Sequence, residues 1–506
     1  MKRASFKPRV SVKPGEQARV AFMRFGLGPK PGVAARLSAA DGAAYQACLN
    51  EIYNPAALII EDAEVRTYCT DREAYRTDSK GEIALDYAAC CRLGVDFRPF
   101  SSTGFLPQPT HVMEAECAAR YAKSLEPEVG FAERLVQFWS NHFSVYRSKS
   151  NMVQATAGHM ERSVIRKGAL GKFSDLLKAV YTHPAMICYL ENDVSIGPES
   201  AFSKKNPKRN CSYNENLARE ILELHTLGID GGYTQTDVTN FAKILTGWSY
   251  YPLWKAKNVV HPQAGQFCFR EDYHEPHEQT VLGVTYSQKG QDQGLAVLDA
   301  LARHPATAQH IAYKLVRHFV TDVPPPELVA YLARLFRLTD GDLQVMAKAL
   351  ICLPQFWNEP MTRLVQPLAW QMSVLRGMGV SKDTILKREM VNGVLSYRTH
   401  VGLQWHISFL GQMNWASLTP DGFPDENYFW MNANSVRIRK DVAAAVTGYG
   451  LVNGKAARPP IAIAEDLLSG FMSDATASVL AEMARKRVAD KPQLVMLFVS
   501  PEYILR

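Results

Sequence analysis

Carboxylates are concentrated in one short stretch of the chain, residues 213–225, which reads YNENLAREILELH. It holds Glu215, Glu220 and Glu223 together with Arg219, and it contains no lysine. Clustered carboxylates repel one another unless a cation, a shared proton or water relieves the repulsion. The stretch therefore predicts a polar site in which the acids either transfer protons or bind a cation.

The spacing places these residues on one amphipathic helix. At about 100° per residue, Arg219 lies close in angle to Glu215, and Glu220 and Glu223 occupy the adjoining arc. Leu217, Ile221 and Leu224 face the opposite way. A solvated helix with an internal Glu215–Arg219 pair explains the same pattern. The helix alone therefore leaves both interpretations open.

Two histidines elsewhere are candidates for the same site. His142 shares a helix face with bulky apolar residues, so a hydrogen-bonded core histidine is the simpler alternative to a ligand. His274 lies in the turn-rich loop YHEPHE, and loops are where site residues are easily presented. Our hypothesis assigns catalysis to Glu215, Arg219, Glu220 and His274. Because helical bundles hold metal ions with inward Glu and His side chains, it assigns a divalent metal cofactor to His142, Glu220, Glu223 and His225.

Apolar residues recur at helical spacing through most of the chain. This pattern predicts the all-α (mainly α) fold class and a large domain of many helices. One segment departs from this period. Phe267 and Phe269 alternate with other residues, TVLGVTY follows at 280–286, and a turn-rich loop lies between the two runs. These runs predict a small inserted β-hairpin near residues 266–286.

We expect three regions that form one continuous large domain. They are an N-terminal helical region (1–125), a central helical core that carries the candidate site and the hairpin (126–360), and a C-terminal helical region (361–506). Within the core, Thr234 or Thr236 is the expected N-cap of a helix that has Asp237 in its first turn.

The composition excludes several classes of protein. Of 506 residues, 47% are hydrophobic and 21% are charged, which is typical of a folded globular chain. No window approaches eighteen uninterrupted apolar residues, so we expect no transmembrane span. The net charge of +7 is modest and the basic cluster at 204–209 lacks interleaved aromatics, so we expect no nucleic-acid partner. Nine cysteines without a C-x-x-C pair favour reduced thiols and therefore a cytoplasmic location. Export with a partner, or removal of a leader, would instead place the chain in the periplasm.

Five motifs occur in order along the chain: FWSNHF at 138–143, NENLAREILELHTLGIDGGYTQTDV at 214–238, LTGW at 245–248, HPATAQHIAYKLVRHFV at 304–320 and DGFPDENYFW at 421–430. Together they resemble the bacterial family known as domain of unknown function 1800. The resemblance implies a mostly helical protein that is often exported and is encoded beside a second family related to sulfatases and alkaline phosphatases. Its strongest motifs match His142, Asn214, Glu215, Asn216, Arg219, Glu220, Glu223, His225, Asp237, Trp248 and His274.

Three functions are consistent with these observations. The first is an enzyme, a hydrolase or an oxidoreductase, whose buried carboxylate and histidine site acts on a polar substrate with or without a divalent metal. It expects the three glutamates to converge on an enclosed, water-poor cavity. The second is a non-catalytic helical partner or maturation subunit of the sulfatase-like neighbour protein, in which the acids form a buried polar network. The third is a glycan-binding module, suggested by Trp139, Trp248, Trp254, Trp405 and Trp430. The oligomeric state is open.

Overall fold

The computed structural model describes residues 12–61, 109–251, 254–255, 259–260, 266–386, 389–391, 394–396, 398–451 and 458–506. Up to the first strand, its α-helices are α1 (Pro14–Val20), α2 (Val33–Ser38), α3 (Ala43–Ile52), α4 (Pro109–Leu125), α5 (Phe131–His142), α6 (Asn151–Met160), α7 (Arg166–Gly168), α8 (Phe173–Tyr181), α9 (Pro184–Tyr189), α10 (Ala201–Lys205), α11 (Asn216–Glu220) and α12 (Gln235–Ile244).

After the central strands, the α-helices are α13 (Gln291–Arg303), α14 (Pro305–Phe319), α15 (Pro326–Leu338), α16 (Leu343–Cys352), α17 (Pro354–Asn358), α18 (Pro367–Gly377), α19 (Lys382–Leu386), α20 (Arg398–Phe409), α21 (Asn427–Trp430), α22 (Ala433–Leu451), α23 (Pro460–Leu467), α24 (Asp474–Arg485), α25 (Asp490–Phe498) and α26 (Pro501–Ile504). Wider π-helical turns occur at Ala21–Phe25, Glu161–Ile165 and Ile221–Thr226, and 3-10 turns at Pro55–Leu58, Asn192–Val194 and Glu271–Tyr273. The chain is mainly helical, as predicted.

The strands form two-stranded antiparallel pairs. They are β1 (Trp248–Tyr250), β2 (Trp254–Lys255), β3 (Val259–Val260), β4 (Phe267–Phe269), β5 (Gln279–Val281), β6 (Val284–Tyr286), β7 (Glu389–Val391) and β8 (Val394–Ser396). Their pairs are β1 with β4, β2 with β3, β5 with β6 and β7 with β8.

A β-hairpin is present within the predicted segment 266–286, but it does not form between the two runs that were expected to pair. The first run, β4, pairs with β1, whereas the second run folds on itself as β5 and β6. Leu282 and Gly283 join β5 to β6, and both have positive φ. This is the backbone of the two-residue turn whose twist matches that of a β-hairpin.

Asp237 links this hairpin to the helix beside it. Thr234 is the N-cap of α12 and forms a capping box with Asp237, which satisfies two free backbone N–H groups. The other carboxylate oxygen of Asp237 accepts a hydrogen bond from the backbone N–H of Leu282 at 2.7 Å. The cap prediction is therefore confirmed at Thr234, and the acid has a structural role.

One cluster of buried apolar side chains extends from Ala18 to Tyr503, and all three predicted regions contribute to it. Within the described residues, every helix is too short or too polar to cross a lipid bilayer.

Buried ion pairs join α4, α5 and the π-helical turn at Glu161–Ile165. The Arg166 guanidinium donates to Glu133 at 2.6 Å and to Glu161 at 3.3 Å. The Nε atom of Arg120 lies 3.3 Å from the other carboxylate oxygen of Glu161, Oε2. These side chains are at most 7% exposed. Because charges this deeply buried are tolerated only in pairs, the network fixes how the three elements pack.

Candidate active site

Glu215 and Arg219 lie in a contact between two helices. The Arg219 guanidinium donates to Glu215 at 2.9 Å. From α12, the Gln235 amide and the Thr239 hydroxyl also donate to the same carboxylate, each at 2.9 Å. These hydrogen bonds, Gln235 first, lower the pKa of Glu215. The simpler interpretation of this pair therefore describes the structure better than the catalytic one.

The predicted helix is present, but its second half is wound more widely. α11 ends at Glu220 and continues directly as the π-helical turn Ile221–Thr226. The Leu227 N–H reaches back five residues to the carbonyl of Leu222 at 3.0 Å. Single π-helical turns are rare and occur frequently at functional sites.

Two imidazoles bind the carbonyl groups at the end of this turn. His310 donates from Nε2 to the carbonyl of Leu224 at 3.0 Å, and His142 donates from Nε2 to the carbonyl of His225 at 3.2 Å. The last carbonyls of a helix have no partner within the helix. The two histidines thus act as caps. Burial lowers the pKa of His310 to about 4 and that of His142 well below its usual range, so both rings are neutral.

His225 is held at both ring nitrogens. The Tyr181 hydroxyl donates to Nδ1, and Nε2 donates to the carbonyl of Pro420 at 3.4 Å. Burial lowers the pKa of His225 to about 3. Its ring centroid lies 5.3 Å from that of His142. The structure therefore brings together two of the predicted metal ligands, but as buried neutral rings.

The predicted metal set is not assembled. His225 has no free ring nitrogen, His142 uses Nε2 for the helix carbonyl, and the carboxylate of Glu223 accepts from the Tyr233 hydroxyl at 3.1 Å. The part of the chain that the structure describes holds no group of three or more His, Cys, Asp or Glu residues placed to bind a metal ion. The expected convergence of the three glutamates is also wrong, because Glu215 faces α12.

Glu220 differs from the other two glutamates. Its carboxyl group is half-buried, and no hydrogen bond or ion pair to it occurs among the described residues. Burial first, then the charges of Glu223 and Asp421, raises its pKa to about 7. Its charge also raises the pKa of the fully buried Tyr181. The carboxyl group therefore lies beside the histidine cluster and exists in both protonation states at neutral pH.

Lys314 is a site residue that the sequence analysis missed. It follows His310 by one turn of α14 and is half-buried. Its charge lowers the pKa of His142, His225 and His310, so its ammonium group acts on all three rings. Burial lowers the pKa of Lys314 itself, and the charges of Asp425 and then Asp421 oppose that shift. The available signal was the spacing H-x-x-x-K-x-x-x-H at 310–318, which puts three titratable side chains on one helix face.

The third residue of that spacing, His318, belongs to a separate buried network. Its Nδ1 donates to Asp425 at 2.7 Å, and Arg134 donates to its Nε2 at 3.1 Å. The Gln366 amide donates to the same carboxylate oxygen at 2.8 Å. Burial lowers the pKa of His318 to about 4. Both ring nitrogens are therefore occupied, and this histidine joins the loop that precedes α21 to α14.

His274 lies elsewhere. Its Nδ1 hydrogen-bonds with the carbonyl of Thr246 at 3.1 Å, and its ring packs against Phe269 of β4. Among the described contacts, none joins it to Glu220 or His142. The structure thus separates this predicted catalytic residue from the others.

The tryptophans that suggested glycan binding are mostly in the core. Trp139, Trp248 and Trp430 are at most 3% exposed, whereas Trp405 is 61% exposed. The side chain of Trp254 lies outside the described residues.

Comparison with known proteins gives one result. A family model described as a protein of unknown function (DUF1800) matches residues 20–505. No curated protein and no solved structure shows a significant match.

Proposed function

The chain belongs to this family of unknown function, and we propose that it is an enzyme that transfers protons through Glu220 while acting on a polar substrate. Lys314 and Asp421 complete the proposed site. The charge of Asp421 acts on both Glu220 and Lys314. Asp421, in the loop that follows Pro420, therefore lies near enough to affect both the Glu220 carboxyl group and the Lys314 ammonium group.

The unpartnered carboxyl group of Glu220 carries the proposal. A half-buried acid normally acquires a hydrogen-bond donor or a cation, as Glu215 does on the same helix. Without one, Glu220 keeps a pKa of about 7. General acids and bases are most effective when their pKa lies near the working pH. Strongly shifted groups of this kind concentrate at active sites.

A substrate panel tests the proposal. Wild type and Glu220→Gln are assayed between pH 5 and 9 on chromogenic phosphate, sulfate, glycoside and carboxylate esters. We expect turnover by wild type and a loss of about 100-fold or more in the variant, which is typical of removing a general acid or base. Glu482→Gln, at an exposed glutamate, is the control and should match wild type. Equal turnover by Glu220→Gln and wild type contradicts the proposal.

A second function, the non-catalytic partner of the sulfatase-like neighbour, is favoured by a different observation. Large apolar side chains on α20, α21 and the loop between them are 49–77% exposed, namely Trp405, Phe409, Leu418, Tyr428 and Phe429. Exposed apolar side chains at this density are typical of protein interfaces. Co-expression of the neighbour with wild type and with Trp405→Ala tests this function. We expect a complex that the substitution weakens, and separate elution in both cases contradicts it.

A further inference from the structure

His142 has one buried acceptor atom that no described donor reaches. Because its Nε2 donates to the carbonyl of His225, Nδ1 keeps its lone pair. Nδ1 is buried and lacks a hydrogen-bond partner among the described residues. Buried side-chain nitrogens without a partner are rare in folded proteins. The atom is therefore free to accept a hydrogen bond from a donor outside the described residues.

Lys314 provides the complementary group. Its ammonium has three donors and no acceptor. Within the described residues it has neither a hydrogen bond nor an ion pair, although it is half-buried. The His310 ring, one turn earlier on α14, lies 6.4 Å from the His142 ring. The unpartnered donor and the unpartnered acceptor thus belong to the same cluster.

We propose that the site binds one hydroxyl oxygen between Lys314 and His142, a water molecule in the resting protein and an alcohol group of the substrate when it is bound. A hydroxyl group accepts a hydrogen bond from the ammonium and donates one to Nδ1. Both groups are then satisfied by a single oxygen. This inference rests on the proposed function and adds to it that the substrate is a hydroxyl-bearing molecule.

The same geometry disfavours an oxyanion. A sulfate or a carboxylate anion would suit Lys314 alone, but it has only acceptor atoms and would place its lone pairs against Nδ1 of His142. Burial and the charge of Lys314 hold the pKa of His142 well below its usual range, so the ring stays neutral near pH 7. Asp425 and Asp421, whose charges act on Lys314, add further repulsion.

Nitrogen NMR of protein labelled with ¹⁵N in its histidine rings tests the inference at pH 7. His183 is the internal reference, because its Nδ1 accepts the Ala185 N–H at 3.1 Å and its pKa is lowered to about 3. We expect the His142 Nδ1 resonance to fall with that of His183, in the range of hydrogen-bonded acceptors. Addition of glycerol should shift it in a saturable manner, whereas Lys314→Met should abolish the saturation. Sulfate, which has only acceptor atoms at this pH, should leave it unchanged.

A resonance typical of a free lone pair in the wild type overturns the bound oxygen. A saturable response to sulfate with hydrogens on both ring nitrogens, or no response to glycerol, overturns the hydroxyl preference. The wild-type spectrum decides the first point even where Lys314→Met does not fold. Since none of these readouts depends on Glu220, failure here is distinct from failure of the proposed enzyme.

Discussion

Removal of the Glu220 carboxylate should stabilise the protein at alkaline pH. The pKa rises from an ordinary 4.5 to about 7 on folding, so the folded chain holds this proton more tightly than the unfolded one. Below pH 4.5 the group is protonated in both states and has no effect. Between pH 4.5 and 7 the folded state loses stability, and above pH 7 the loss is complete.

The size of the effect follows from the same shift. At about 1.4 kcal/mol for each tenfold change in acidity, the upper limit is about 3 kcal/mol. Because Glu220 is only half-buried, solvent screening reduces this to about 1–2 kcal/mol. A chain of 506 residues has an unfolding entropy of about 1 kcal/mol per kelvin. Glu220→Gln should therefore raise the thermal midpoint by about 1–2 °C at pH 8 and leave it unchanged at pH 4.

Differential scanning fluorimetry at pH 4 and pH 8 measures both values. Glu215→Gln is the matched control, since Glu215 lies on the same helix with a lowered pKa. Its carboxylate stabilises the folded state above pH 4.5, and that contribution disappears as the pH falls through the folded-state pKa. This variant should lower the midpoint at pH 8, by on the order of 0.5 kcal/mol. Opposite signs for the two variants are the expected result. A Glu220→Gln midpoint at or below wild type at pH 8 refutes the reasoning.

Two further predictions concern the scaffold. Arg166→Met leaves the buried Glu133 without its cation and Glu161 with Arg120 alone, and it should destabilise the fold by about 3–5 kcal/mol. Arg303→Met, at an exposed pair, should cost about 1 kcal/mol or less; comparable midpoints in thermal denaturation would count against the buried network. Gly228→Ala should cost about 2 kcal/mol, because φ is +86° and the new Cβ would lie 2.9 Å from Nδ1 of His310. A wild-type midpoint for that variant would contradict the described packing of His310.

The parts of the fold that depend on local spacing were predictable. Helical periodicity, the capping box at Thr234 and the Glu215–Arg219 pair all involve residues within four positions of one another, and the structure contains each of them. The β segment was located for the same reason. The pairing of its strands was not predictable. β4 pairs with the earlier strand β1 and not with the later run that was expected to be its partner.

The site itself depended on contacts between distant segments. An ideal helix at about 100° per residue does not describe the π-helical turn after Glu220, so the angles assigned to Glu223 and His225 were unreliable. The acid at 421 acts on Glu220 and Lys314 from a loop 107 to 201 residues away in sequence, and no periodic pattern reports such an approach. His142 was assigned as a metal ligand because nothing in the sequence shows its hydrogen bond to the carbonyl group of residue 225.

The most direct test of the proposed site is the titration of the Glu220 side chain. In protein labelled with ¹³C at glutamate side-chain carboxyl carbons, the resonance that disappears in Glu220→Gln is followed from pH 3 to pH 9. We expect a midpoint near pH 7, well above the ordinary value of 4.5 for a glutamate side chain. A midpoint near 4.5 would contradict it, because the carboxyl group would then be an ordinary solvated acid.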